Sequence, residues 1–129
     1  MCDEVAAPAP FSWLDYLSLA ENLSKSDDEA SLRSSVSRAY YAVYHAALQK
    51  ARALGTPPDG QSHASLWKFY RSGPGARSWF RRVRETGRSL QEQRERADYE
   101  IETADDWRAT SESAVEDARK LIEDLQGYR

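Results

Sequence analysis

Arg38, Tyr41 and His45 recur at intervals of three and four residues, so a helix through them presents all three on one face. A second dense polar run follows at Arg94, Arg96, Asp98 and Tyr99. Together these side chains hold the parts of a phosphate-handling site. An imidazole can move a proton at neutral pH, guanidinium forks fit phosphate oxygens, and a carboxylate can orient either through a charge-assisted bond. In that composite His45 relays the proton, Arg94 or Arg96 contacts phosphate with Tyr99, and Asp98 orients its neighbours. A structural alternative fits the same residues: Arg38, Asp98 and Tyr99 form a buried network that fixes helix register, with His45 hydrogen-bonded near the surface. His63, the other histidine, follows a cap at Ser62 and reads as a residue at a helix start or rim. Two isolated histidines without clustered carboxylates make no metal site, so neither metal nor cofactor is expected.

The elements that must position these residues are helices. Ser12 with Asp15 forms a capping-box pattern, and Trp13, Leu14, Leu17, Ala20 and Leu23 follow at helical spacing. Ser26 with Glu29 repeats the pattern before the longest stripe, Leu32, Val36, Tyr40, Val43, Ala47, Ala51 and Leu54. Gly55 and the run Pro57-Pro58-Asp59-Gly60 end it. Ser62 opens a short helix with Leu66, Trp67, Phe69 and Tyr70, and Gly73-Pro74-Gly75 stops it. A fourth helix runs from near Ala76 toward Ala97, with Gly87 inside it as a bend or break. Thr103 with Asp106 caps a last one through Trp107, Ala114, Val115, Ala118, Leu121, Ile122 and Leu125, closed by Gly127. Trp13, Trp79 and Trp107 fall on apolar registers and predict core or dimer interface, whereas Trp67 is open to exposure and base stacking or to core packing. No alternating strand pattern intervenes, which predicts an all-α, antiparallel bundle of four to five helices over residues 11–127, after a flexible leader over 1–10.

The 129 residues suffice for one domain with its own core. The single cysteine, Cys2, forms no internal disulfide and fits a reducing cytoplasm, and no apolar run approaches a membrane span. Net charge is −3 but segregated: residues 68–97 carry nine basic and three acidic side chains, and residues 98–129 carry four and ten. Eight of the nine cations are arginine. Two readings fit the block, a polyanion-binding face or a helix whose cations pair with the acidic terminal helices.

The segment Ser37-Arg38-Ala39-Tyr40-Tyr41-Ala42-Val43-Tyr44-His45-Ala46-Ala47 resembles the second-helix signature of the HEPN family. The stretch Leu90 to Arg94, with Arg96, Ala97, Asp98 and Tyr99, resembles an arginine-alanine-aspartate-tyrosine segment of the same branch. Trp13 to Leu23 and His63 to Phe69 sit where that branch places similar residues, so the likeness spans about residues 11–126. It implies a HEPN-like helical bundle, a homodimer, and a metal-independent endoribonuclease in which an arginine, four to six residues, then a histidine face their copies across the dimer. It further implies an RNA-targeting, toxin- or defence-associated role beside a nucleotidyltransferase antitoxin, with Tyr99 as the position such a partner modifies.

The late helix departs from that pattern. Counting from Arg94, the histidine should fall among Tyr99, Glu100 and Ile101; counting from Arg96, among Ile101, Glu102 and Thr103. Neither window holds one. Arg38 and His45 meet the count with six residues between them, but in the second helix and about 10 Å apart along its axis. The candidate catalytic set is therefore His45, Arg94 and Arg38, with Arg96, Asp98, Tyr99 and Tyr41 as binding residues. The alternative is a non-catalytic HEPN module for dimerisation or nucleotide or protein binding, and the floor is a plain helical scaffold.

Overall fold

The stripe Leu32, Val36, Tyr40, Val43, Ala47 and Ala51 is buried along its whole length, which makes its helix the axis of the molecule. The computed structural model describes residues 10–55, 63–72 and 77–127. Within them run α1 (Leu14–Leu23), α2 (Glu29–Ala53), α3 (His63–Ser72), α4 (Arg77–Tyr99) and α5 (Trp107–Gly127), and no strand occurs among the described residues. The expected leader (Pro10 apart), the Pro57–Gly60 break, the Ser62 cap, the Gly73–Gly75 stop and Ala76 lie outside them.

Caps set the helix starts, with two shifts from expectation. At α1 the capping box forms: the Ser12 N–H donates to Asp15 Oδ2 at 3.1 Å and the Leu14 N–H to Ser12 Oγ at 3.2 Å. At α2 the cap is Asp28, whose carboxylate accepts from the Ser31 N–H at 2.9 Å, while Ser26 accepts from the Asp28 N–H. At α5 it is Asp106, accepting from the N–H groups of Arg108 and Ala109, while Thr103 accepts from the Asp105 N–H. In both cases the hydroxyl shapes the turn and an aspartate nearer the helix takes its free N–H groups, since a carboxylate is the stronger acceptor beside a helix N-terminus. Gly55, at φ +84°, ends the α2 region in a conformation that other residues rarely adopt.

Helix directions follow from the pairs that meet. Ser37 reaches Asp98 and Tyr40 lies by Arg94, so α2 and α4 are antiparallel. Likewise α1 runs against α2, with Ser35 Oγ donating to the Ala20 carbonyl and Trp13 stacked on His45. Arg96–Asp105 and Arg82–Asp124 make α4 and α5 antiparallel. By contrast α3 runs parallel to α2, joining Tyr40 to His63 and the Tyr70 hydroxyl to the Ala47 carbonyl. Ala39, Ala42, Ala47 and Ala51 are fully buried, and their small side chains let these neighbours close on α2.

Gly87 does not break α4, which is continuous across it. A Cβ there would stand 2.5 Å from the Trp67 ring, so the glycine exists to admit that ring between α3 and α4. Trp67 is accordingly core, 2% exposed, and unavailable for base stacking. The far end of α4 is closed by Arg33 of α2, which donates to the carbonyls of Ala97, Glu100 and Ile101 and lies 4.7 Å from the Trp107 ring centroid. One guanidinium thus satisfies several carbonyls that the helix leaves unpaired.

Candidate functional site

Where α2 and α4 cross, the two sequence clusters meet. Arg94 is 8% exposed, the one charged residue among the buried polar side chains of the described chain. Its guanidinium carbon lies 5.5 Å from the ring centroids of both Tyr40 and Tyr41 and 5.8 Å from that of Tyr99. One turn on, Asp98 Oδ2 stands 3.7 Å from its Nη1 and accepts a 3.1 Å hydrogen bond from Ser37 Oγ. Arg94 Nε is buried without a hydrogen-bond partner. A cation held on aromatic faces, with one loose carboxylate and a spare N–H donor, is a charge whose hydrogen-bonding capacity is unfilled.

Arg38 lies on the same face of α2, its guanidinium 4.6 Å from the Tyr16 ring and 5.1 Å from that of Tyr41. Tyr41 therefore carries an arginine from each of two helices, and the expected grouping of Arg38, Tyr41, Arg94, Asp98 and Tyr99 is brought together. Tyr99 is 76% exposed, at the rim.

Arg96 is not. It points toward α5, where Nε and Nη2 make a two-pronged pair with Asp105 at 2.9 and 3.1 Å. That hydrogen-bonded pair holds the Asp105 carboxyl below the usual carboxylate range. Two residues along a helix is a rotation of about 200°, so Arg94 and Arg96 cannot serve one site.

The histidine nearest Arg94 is not the expected one. His63, at the start of α3, shares a 2.5 Å hydrogen bond between its Nδ1 and the Tyr40 hydroxyl. Its ring stacks on Tyr40 at 5.4 Å and on Tyr44 at 4.3 Å. Burial, reinforced by the positive charge of Arg94, pushes its pKa below the ordinary imidazole value, so His63 is neutral at pH 7. Burial pushes the Tyr40 hydroxyl up, so it stays protonated. With Tyr40 accepting from Nδ1–H, Nε2 is the basic nitrogen; with Tyr40 donating, Nε2 carries the proton.

His45 lies further along α2, its ring stacked on Trp13 at a centroid distance of 3.5 Å and an interplanar angle of 8°. Burial lowers its pKa too, with His63 and Arg52 adding to the effect. Its ring is 6.5 Å from that of Tyr41 and 5.1 Å from that of Tyr44, which separates it from His63. The sequence missed His63, Tyr40 and Ser37 as members of this cluster. A contact across 23 residues and a helix break has no local signature, and Tyr40 was absorbed into the apolar stripe.

No group of three or more His, Cys, Asp or Glu gathers to hold a metal among the described residues, and no described helix is long and apolar enough to cross a membrane. The family model of the HEPN domain matches residues 14–128. No curated protein and no solved structure matches the chain.

Proposed function

The chain belongs to the HEPN domain family, and from that premise we propose that it acts on RNA at the Arg94 cluster, as a metal-independent endoribonuclease whose proton-transfer histidine comes from α3 instead of the late helix. The observation that carries this reading is the Arg94–Tyr40–His63 constellation: a buried arginine with an unfilled N–H and a neutral imidazole, both packed on the same tyrosine. In the step itself the ribose 2′-oxygen attacks phosphorus and gives its proton to His63. Arg94 stabilises the charge on the phosphorane oxygens, and the 5′-oxygen leaves as a hydroxyl with a proton taken from water, producing a 2′,3′-cyclic phosphate, while His63 returns the proton it accepted to the hydroxide so formed. Asp98 and Ser37 position Arg94. Arg38 and Tyr41 are contacts for a neighbouring phosphate, and His45, stacked on Trp13, supports the wall instead of the chemistry.

The same proposal takes the chain as a cytoplasmic homodimer in a toxin- or defence-type setting, beside a nucleotidyltransferase antitoxin. Tyr99, exposed at the rim, is accessible for that partner to modify. A non-catalytic dimerising module is the second reading. Ile101, 91% exposed next to Tyr99, favours it by offering apolar surface beside the cluster.

Purified protein incubated with single-stranded RNA in EDTA should give cyclic-phosphate ends. Arg94→Lys should slow cleavage about 10²- to 10³-fold, and His63→Gln by a comparable factor. His45→Gln should change the rate less than about threefold, well below the loss from a proton-transfer group. RNA that stays intact while still being bound would leave the non-catalytic module standing.

A further inference from the structure

The arginine block does more than supply Arg94. Over residues 63–91 the chain holds seven basic side chains and a single acidic one, Glu85, so this stretch carries +6 in a protein of net −3. The structure folds it into two adjacent antiparallel helices. Trp67 packs on Gly87, and Tyr70 packs on Phe80, so α3 lies along the first half of α4. The core takes Phe80, Val83, Gly87, Leu90 and Arg94 of α4, and Leu66, Trp67, Phe69 and Tyr70 of α3. The cations are left outside: Lys68, Arg71, Arg81 and Arg88 are exposed.

Their alignment is directional. Arg81, Arg88 and Tyr99 are spaced by seven and eleven residues, intervals that return to the same line of an α-helix within about 20°. Arg84 sits beside that line, toward Arg94, and is tied only to its sequence neighbour Glu85 at 3.9 Å. Arg81 and Arg88 have no ion-pair partner among the described residues. Among the described residues, the expected pairing of the block with the acidic terminal helices is confined to the other flank, where Arg82 reaches Asp124 of α5 and Arg96 takes Asp105 just before it. From Arg81 to Tyr99 the line covers about 27 Å of helix axis, and Arg94, turned about 120° from Arg88 toward the core, meets its end at the Tyr99 ring, 5.8 Å from the ring centroid.

We propose that this outer face of the α3–α4 pair is a track for the backbone of single-stranded RNA, feeding the strand to Arg94 and seating the base beyond it on Tyr99. The inference rests on the RNA reading above and adds to it the form and direction of the substrate. Arginine forks hold phosphates, and an exposed tyrosine ring beside a guanidinium is a sequence-tolerant stacking platform. An acidic protein would satisfy the cations but would leave Tyr99 unused, and a duplex would keep its bases out of the ring's reach.

The test is fluorescence anisotropy with a labelled single-stranded RNA of about twelve nucleotides, across about 50 to 200 mM salt. Four phosphate contacts, at Arg81, Arg84, Arg88 and Arg94, give a slope of log affinity on log salt near −2.8. Arg81→Glu with Arg88→Glu should lose tenfold or more in affinity and flatten the slope by about 1.4 or more, with the melting temperature unchanged. Tyr99→Ala should lose about tenfold with the slope retained. Wild-type slope and affinity in the double variant would overturn the track while leaving the Arg94 chemistry untouched. Equal binding of duplex RNA, or displacement by polyglutamate at equal charge, would overturn the choice of partner. If the wild-type chain retains no RNA at low salt, the RNA reading itself falls and takes the track with it.

Discussion

Arg94 and Arg96 stand two residues apart on one helix and live in opposite environments. Arg94 faces α2, buried on tyrosine rings, with one carboxylate at 3.7 Å and a buried Nε that has no hydrogen-bond partner. Arg96 faces α5, half-exposed, with its fork filled by Asp105. The ion pair with the better geometry is the one whose Nε edge is already committed to a carboxylate. A two-pronged pair commits two of a guanidinium's five donors, whereas aromatic packing steadies the group without taking any of them. The comparison separates a latch from a candidate site.

The largest test of this contrast is truncation. Arg94→Ala should destabilise the fold by about 3 kcal/mol, because it opens a cavity in the core beside the Tyr40 and Tyr41 rings, whereas Arg96→Ala should cost about 1 kcal/mol or less. Equal costs by chemical denaturation would erase the distinction. Next comes Gly87→Ala, which drives a methyl into the Trp67 ring on the Arg94 side of α4 and should cost about 2 kcal/mol. A neutral outcome would mean that α3 yields easily, and with it the placement of His63.

The two sides should also part in pH. His45 and His63 are held below the ordinary imidazole value, so the unfolded chain binds more protons than the folded one as pH drops below about 6.5. The stability they contribute is complete above that pH and is lost as pH falls through their folded values. Asp105 is held below the usual carboxylate value, so its contribution persists down to about pH 4 and is lost only below it. Thermal melts across pH should show two acid limbs, the first blunted by His63→Gln and the second by Asp105→Asn. The smallest effect is Tyr99→Ala, within about 0.5 kcal/mol in stability, as suits a side chain that packs on little.

Much of the helix framework was legible beforehand, because periodicity reports burial: the α2 stripe from Leu32 to Ala51 is the core it predicts. Caps were legible in kind but not in place. At α2 and α5 a hydroxyl and an acid share the turn, and which of them takes the helix N–H groups depends on backbone geometry that spacing does not encode. Gly87 shows the same limit, since only the ring of Trp67 explains it.

By itself the sequence determined the helices, the family and the residue types of two polar clusters, since these rest on local periodicity and on motif segments contiguous in the chain. Only the tertiary structure decided membership. It turned Arg96 away to Asp105, set His45 against Trp13, and brought His63 across a helix break to Tyr40. The reason is geometric: neighbours in a helical sequence are dispersed around the axis, and packing between helices selects which of them meet.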